Sequence, residues 1–236
     1  MIKKNKTKIY YPGWELKFFD NSENFRNYQF QLFKNFIKGN TAEIGPGNGM
    51  NLRFYFSKPK RIDLYEPSNN LYKTLKKKFS KKKKIKIFNK KFTFIKKKYH
   101  SILYLDVLEH IKEDQIEIKN AYKCLEKNGY LIINVPAFNH LYSKFDKDVG
   151  HYKRYEKKDF EDLFSFIKKQ KIKYVYYDCI GYFLSLMSKI LVNDYKKNFE
   201  KKIKLWDSLI WLSKIFDTIF FNKFGKSLLV IIKKID

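Results

Sequence analysis

The sequence predicts an α/β fold, a doubly wound, mostly parallel seven-stranded sheet covered by helices, with a helical insertion before the last strand. Three observations predict it. Short β-rich runs alternate with helical stretches along the chain, the pattern of a parallel sheet covered on both faces. The first run leads into a turn with three alternating glycines, Gly45-Pro46-Gly47-Asn48-Gly49. Later runs end in Glu66, Asn89 and Asp106, which places polar groups at the carboxyl ends of strands, where an open parallel sheet binds its ligand.

The elements follow in order. Asp20-Asn21-Ser22-Glu23 opens a helix, with an acid three residues beyond a capping Asp. Phe25, Tyr28, Leu32, Phe33, Phe36 and Ile37 share one face of it, and Gly39 ends it. Residues 1–40 therefore form an N-terminal helical segment laid against the ligand side of the sheet. Strands are expected near 41–45, 61–66, 85–88, 102–106, 130–135 and 172–178, with a final strand over 226–232. Helices are expected near 49–56, 68–79, 112–126 and 157–168. Residues 180–225 are an insertion carrying two amphipathic helices, 180–192 and 205–221, rich in Leu, Ile, Phe and Trp. Neither is a membrane span: the first is short of the ~20 residues needed, and the second contains Asp207, Lys214 and Asp217.

A length of 236 residues fits one domain over 1–236, ample for a buried core. The hydrophobic content of 44% with 19% aromatics argues against disorder. The net charge of +27 invites a nucleic-acid partner, but only four of the 51 basic residues are Arg, the residue whose planar fork suits phosphates and base edges. Ala occurs three times while Phe, Tyr, Ile and Asn abound, as an AT-rich genome would produce, so the lysine runs read as solvated surface and no specific nucleic acid is expected. Those lysines would still attract an acidic membrane surface. Cys124 and Cys179 lie far apart, the pattern of a reduced cytosolic protein, and the four His and two Cys show no metal-ligand spacing. Residues 1–8 are basic with no apolar run behind them, unlike a signal peptide.

The glycine turn is a nucleotide-type cradle, because glycines admit positive φ and close approach of a ligand. A dinucleotide fingerprint requires its third glycine one residue later, where Met50 stands, and a phosphate loop requires a Lys-Ser/Thr pair that is missing. Glu66, 17 residues beyond Gly49, suits a ribose diol, since a carboxylate accepts two hydrogen bonds at once. A third motif is Asp106-Val107-Leu108-Glu109-His110-Ile111, at the end of an apolar run. Together, Glu43-x-Gly45-x-Gly47-x-Gly49, Glu66-Pro67 and this D-V-L-E-H-I segment resemble the class I S-adenosylmethionine-dependent methyltransferases. Leu141-Tyr142-Ser143-Lys144-Phe145-Asp146 and Gly150-His151-Tyr152-Lys153-Arg154-Tyr155 resemble a bacterial subgroup associated with envelope sugars and lipid-linked pathways. The likeness runs from about Tyr11 to the end; Lys153, His100 and Asn89-Lys90-Lys91 depart from the usual pattern.

The resemblance implies a Rossmann-like methyltransferase fold whose last strand runs antiparallel between the fifth and sixth. It implies S-adenosylmethionine as cofactor, held by Glu43, Gly45, Gly47, Gly49, Glu66, Pro67, Asn89, Asp106 and Val107. Methyl transfer from a sulfonium is a displacement that needs alignment above all, and a base only where the acceptor must lose a proton. Candidates for that work follow the fifth strand: His151, Tyr152 and Arg154, with Tyr142 and Asp146 beside them and His110 at the mouth. His151 is the one candidate after that strand of a residue type that ionises near neutrality, and Arg154 is expected to clamp a substrate phosphate or carboxylate or to form an ion pair with Asp146 or Glu156. The expected acceptor is a small or lipid-linked molecule such as a saccharide. The alternatives are RNA, a quinone-type aromatic hydroxyl, or a non-catalytic binding protein. The insertion is expected to pack on the core, form a homodimer contact or lid, or touch the inner face of a membrane through 180–221.

Overall fold

The computed structural model describes residues 9–167, 170–191 and 194–235; the basic segment 1–8 lies outside them. Seven strands are described: β1 (Asn40–Ile44), β2 (Arg61–Tyr65), β3 (Ile85–Phe88), β4 (Tyr99–Leu105), β5 (Leu125–Pro136), β6 (Gln170–Tyr177) and β7 (Ser227–Lys234). They form one sheet in the order β3-β2-β1-β4-β5-β7-β6. The first five pair in parallel, and β7 runs antiparallel between β5 and β6. The helices are α1 (Leu16–Phe19), α2 (Glu23–Phe33), α3 (Leu52–Tyr55), α4 (Asn69–Phe79), α5 (Asp114–Lys123), α6 (Lys144–Asp148), α7 (Lys157–Leu163), α8 (Cys179–Leu191), α9 (Phe199–Ser208) and α10 (Ile210–Ile219).

Central strands with both faces covered are expected to be nearly continuous apolar runs, and Ile102 to Leu105, Leu131 to Ile133 and Leu228 to Ile232 are buried without a break. Their alternate side chains feed two cores. Ile102, Tyr104, Leu131, Ile133 and Val230 pack with Ile118 and Ala121 of α5 and Phe160 of α7. Leu103, Leu105, Ile132 and Ile231 pack on the opposite face with Phe25 and Phe33 of α2, Leu75 of α4 and Trp206 of α9.

Several elements differ from the sequence-based expectation. The strand expected over 130–135 begins at Leu125, because Leu125 pairs with Tyr99 before a register shift carries the chain to Ser101 opposite Tyr130. The fourth strand likewise starts early, at Tyr99, whose hydroxyl donates to buried Asp63 (2.7 Å). The helix expected over 49–56 is the single turn α3. At the start of α2, Ser22 rather than Asp20 occupies the cap position and no local side chain caps it. Asp20 instead accepts from the Asn48 amide of the glycine turn (2.7 and 2.8 Å).

Among its described residues the insertion holds three helices rather than two, because the run 205–221 divides at Leu209. The division lets two acids turn inward. Asp207 accepts from the first-turn amides of α2 at Asn24 (3.3 Å) and Phe25 (2.9 Å). Asp217 accepts from the amides of Asp178 (2.6 Å) and Cys179 (2.9 Å) at the start of α8 and from the Tyr28 hydroxyl (2.9 Å). Each supplies a carboxylate to orphan N–H groups at a helix N-terminus. Among the described residues, no helix is long and apolar enough to cross a membrane.

Candidate active site

Strand register sets the geometry of the site. Ile44 pairs with Tyr65 on one side and Tyr104 on the other, so the residues following β1, β2 and β4 leave the sheet at one level. The strand order reverses between β1 and β4, which opens a crevice at their carboxyl ends. A cavity of about 1490 Å³ occupies it. Typical ligand pockets hold about 300–1,000 Å³, so this one has room for two ligands side by side.

The glycine turn forms the cavity floor. Gly45 (φ +61°) donates its N–H to the Tyr65 carbonyl (2.9 Å), and a Cβ there would strike the Val107 methyls at 2.8 and 2.9 Å. Gly47 (φ +57°) faces the open cavity, where a Cβ would find only Leu16 at 3.8 Å. Its N–H donates to Glu66 Oε2 (3.2 Å), whose Oε1 accepts from Ser68 (2.8 Å). Burial pushes Glu66 above the usual carboxylate range, against the pull of those hydrogen bonds. Asp106 takes a left-handed φ of +59° at the end of β4, a backbone state that Asp tolerates better than most residues. Its carboxylate accepts from Asn134 (2.6 Å) and from Arg26 of α2 (2.7 Å).

Gly45, Gly47, Glu66, Pro67, Asp106, Val107, His151, Tyr152 and Arg154 all line this one cavity. Glu43, Gly49 and Asn89 are not among its lining residues. Glu43 lies behind the turn, fully buried, accepting a hydrogen bond from Tyr55. Gly49 makes room for α4: a Cβ would meet Phe79 at 2.5 Å and Leu75 at 2.9 Å. Asn89 donates to the carbonyls of Glu66 (3.0 Å) and Pro67 (3.2 Å), fixing the loop that presents Glu66. These three residues shape the cradle from outside it.

The second half of the cavity is built on a buried carboxylate. Asp146 of α6 accepts from Ser143 (2.9 Å from both backbone N and Oγ), from Arg154 (3.0 Å from both Nε and a terminal nitrogen) and pairs with His151 Nδ1 (2.9 Å). Burial works to raise its pKa, but the His151 and Arg154 contacts outweigh it and hold Asp146 well below the usual range. Arg154 also donates to the Ala137 carbonyl (3.4 Å), so its guanidinium is committed within the protein. It serves as scaffold for the loop and is not a free clamp. Tyr152 is exposed and anchored by its N–H on the Glu109 carbonyl (2.8 Å).

With Nδ1 directed at Asp146, His151 turns Nε2 towards Glu109 Oε1, 3.9 Å away. Glu109 is 1% exposed, and burial with the nearby Asp106 charge pushes it well above the carboxylate range, which favours the protonated acid. His110 packs edge-on against His151 with ring centroids 4.6 Å apart. Burial and the His151 charge lower it to about 4, so it stays neutral near pH 7. The cavity thus joins a glycine cradle and ribose-type acceptor at one end to a carboxylate-braced imidazole at the other.

Comparison with known proteins agrees with this geometry. A family model described as "Methyltransferase domain" matches residues 18–175, two thirds of the chain. The chain belongs to the class I S-adenosylmethionine-dependent methyltransferases. No curated protein matches it. Among solved structures, this methyltransferase is similar to an S-adenosylmethionine-dependent methyltransferase from Archaeoglobus fulgidus (14% identity, TM-score 0.61, 93% of this chain and 97% of that one). It is also similar to the N-methyltransferase NodS from Bradyrhizobium japonicum WM9, solved with S-adenosylhomocysteine (11% identity, TM-score 0.58, 92% and 89%). A third is phosphoethanolamine N-methyltransferase 2 of Haemonchus contortus (12% identity, TM-score 0.63, 94% and 57%). At these identities the likeness speaks for the fold.

The cofactor of this methyltransferase is S-adenosylmethionine, and the residues present fit it. Gly47 leaves a cradle that any Cβ would begin to fill, and Glu66 presents a carboxylate at the level of that turn. Residues that sequence reasoning missed include Arg26 and Asn134, which hold Asp106 from two sides, and Lys226, whose ammonium sits 4.0 Å over the Trp206 ring. Neither Arg26 nor Lys226 belongs to a cofactor motif, and Asn134 stands within the strand run 130–135 with nothing in its spacing to single it out.

Proposed function

We propose that this methyltransferase passes its methyl group to a hydroxyl or amine of a small or lipid-linked acceptor, such as a saccharide, by direct displacement, with His151 taking the acceptor's proton. S-adenosylmethionine supplies the electrophilic methyl group when bound. The observation that carries the reading is the His151–Asp146 pair (2.9 Å) opening into the same cavity as the glycine turn. Asp146 holds the imidazole in the tautomer that leaves Nε2 free and stabilises the imidazolium that forms, the role an aspartate plays behind a catalytic histidine elsewhere. Burial and the Asp106 charge raise Glu109, which weakens any negative charge beside an incoming nucleophile, and His110, lowered by burial, closes the wall. Gly45, Gly47, Glu66, Pro67, Asp106 and Val107 are the proposed cofactor contacts, with Glu43, Gly49 and Asn89 supporting them.

Calorimetric titration with S-adenosylhomocysteine, with NAD as control, paired with methyl transfer to a panel of saccharide and lipid-linked acceptors, tests this. His151→Gln should bind S-adenosylhomocysteine normally and lose about 10²-fold in turnover, the usual contribution of a general base. Gly47→Val should stay folded and fail to bind. Full turnover by His151→Gln would remove the base from the reading, and normal affinity in folded Gly47→Val would remove the cradle.

A further inference from the structure

The helix α10 is inside-out. Its small and polar residues Ser213 and Asp217, one turn apart, are 1% and 0% exposed and bond inward to Asp178 Oδ1 and to the start of α8. Its apolar residues Trp211, Ile215 and Ile219, spaced four apart on the other side, are 58%, 48% and 56% exposed, and Phe221 just beyond is 81% exposed. Residues at i, i+4 and i+8 lie along one stripe of a helix, so the outward stripe is the apolar one. A water-facing helix has the reverse arrangement.

The stripe continues onto α8. Phe220 meets Phe224 (ring centroids 5.2 Å), Phe224 meets Phe183 of α8 (5.8 Å), and both Phe183 and Met187 are exposed. Other residues of α8, among them Gly181, Leu184 and Ser188, line the large cavity. One helix therefore walls the site with some of its side chains and extends the apolar surface with others.

Charge decides what covers that surface. Exposed Lys214 and Lys223 border it, on a chain of net charge +27. A second copy would bring another +27 against the first, which long-range repulsion opposes. An anionic bilayer meets both features: lysines find lipid phosphates, and Trp and Phe settle at the boundary between headgroups and acyl chains. We infer that the outer face of α8 and α10 docks this methyltransferase on an anionic lipid bilayer. The docking stands apart from methyl transfer. Only the choice of a lipid-linked acceptor over a water-soluble one rests on the function proposed above.

Flotation of the full chain with phosphatidylglycerol-rich vesicles and with pure phosphatidylcholine vesicles tests it. The expected result is binding to the anionic vesicles, and a loss of about tenfold in partitioning for the triple variant Ile215→Ser, Ile219→Ser, Phe221→Ser. Those side chains are exposed, so the variant should fold, and its affinity for S-adenosylhomocysteine reports that it does. Three outcomes overturn the inference: no binding to either vesicle; binding that the triple variant retains in full, which would be lysine attraction without α10; or a stable dimer in sedimentation that the triple variant dissociates, which would make this face a contact between copies. The S-adenosylhomocysteine titration is read separately, so failure of docking and failure of the enzymatic reading are told apart.

Discussion

Burial against Tyr55 pushes the Glu43 carboxyl from an ordinary 4.5 up to about 7, although the Tyr55 and Asn51 hydrogen bonds and the Arg26 charge pull the other way. Between those two values the folded chain holds a proton that the unfolded chain has released. Stability contributed by this group is therefore complete below the lower value and lost as pH rises through the upper one. Glu43→Gln should flatten that part of the profile: comparing urea midpoints at acidic and mildly alkaline pH, wild type should lose more than the variant. Parallel profiles would show that Glu43 is not the group responsible. The other residue-scale question is whether Glu109, His110 and His151, with ligand atoms within 4.8 Å of one another, act without an ion. Turnover should be unchanged in EDTA; a loss restored by a divalent cation would place a metal among them. Residues within motifs could be located from the sequence, since the apolar runs and the motif resemblance together set Gly45, Glu66, Asn89 and Asp106 at strand ends. Arg26 and Asn134 could not, because only the folded sheet brings α2 and β5 to Asp106.

Helix α8 starts on a carboxylate that belongs to α10. Asp217 is 0% exposed and satisfies two backbone amides and the Tyr28 hydroxyl. Truncating it leaves three buried donors without acceptors. Asp217→Ala should cost about 3 kcal/mol and lower the melting temperature by roughly 10 °C, as differential scanning calorimetry would show. A change within about 1 °C would mean that water replaces the carboxylate. Strand positions were mostly legible, because apolar runs closed by Gly, Pro or an acid leave few other readings. Ends were less so. Tyr99 and Leu125 extend β4 and β5 through a cross-strand pairing that neither segment's composition reveals. The division at Leu209 was equally hidden: a periodic apolar run reads as one helix until Asp207 and Asp217 each find a distant N-terminus to cap.

Across the whole molecule, the sheet divides the work. Strands β1, β2 and β4 and the turns beyond them carry the glycine turn, Glu66 and Asp106, while the loop after β5 and helices between β6 and β7 wall the rest of the same cavity. The fold class was legible because the glycine turn, the acids at strand ends and the β/α alternation all pointed to one sheet. The charge of +27 would have misled if read alone, since it belongs to a lysine-rich, arginine-poor composition. The position of β7 has a consequence for how the chain is made. It sits between β5 and β6, and among the described residues β6 pairs with no strand but β7. A ribosome releases β6 and the three helices of the insertion before it releases β7. Until then β6 has no described strand to join. The sheet beyond β5 therefore closes in one event, the arrival of β7, which seats β6 at the same time.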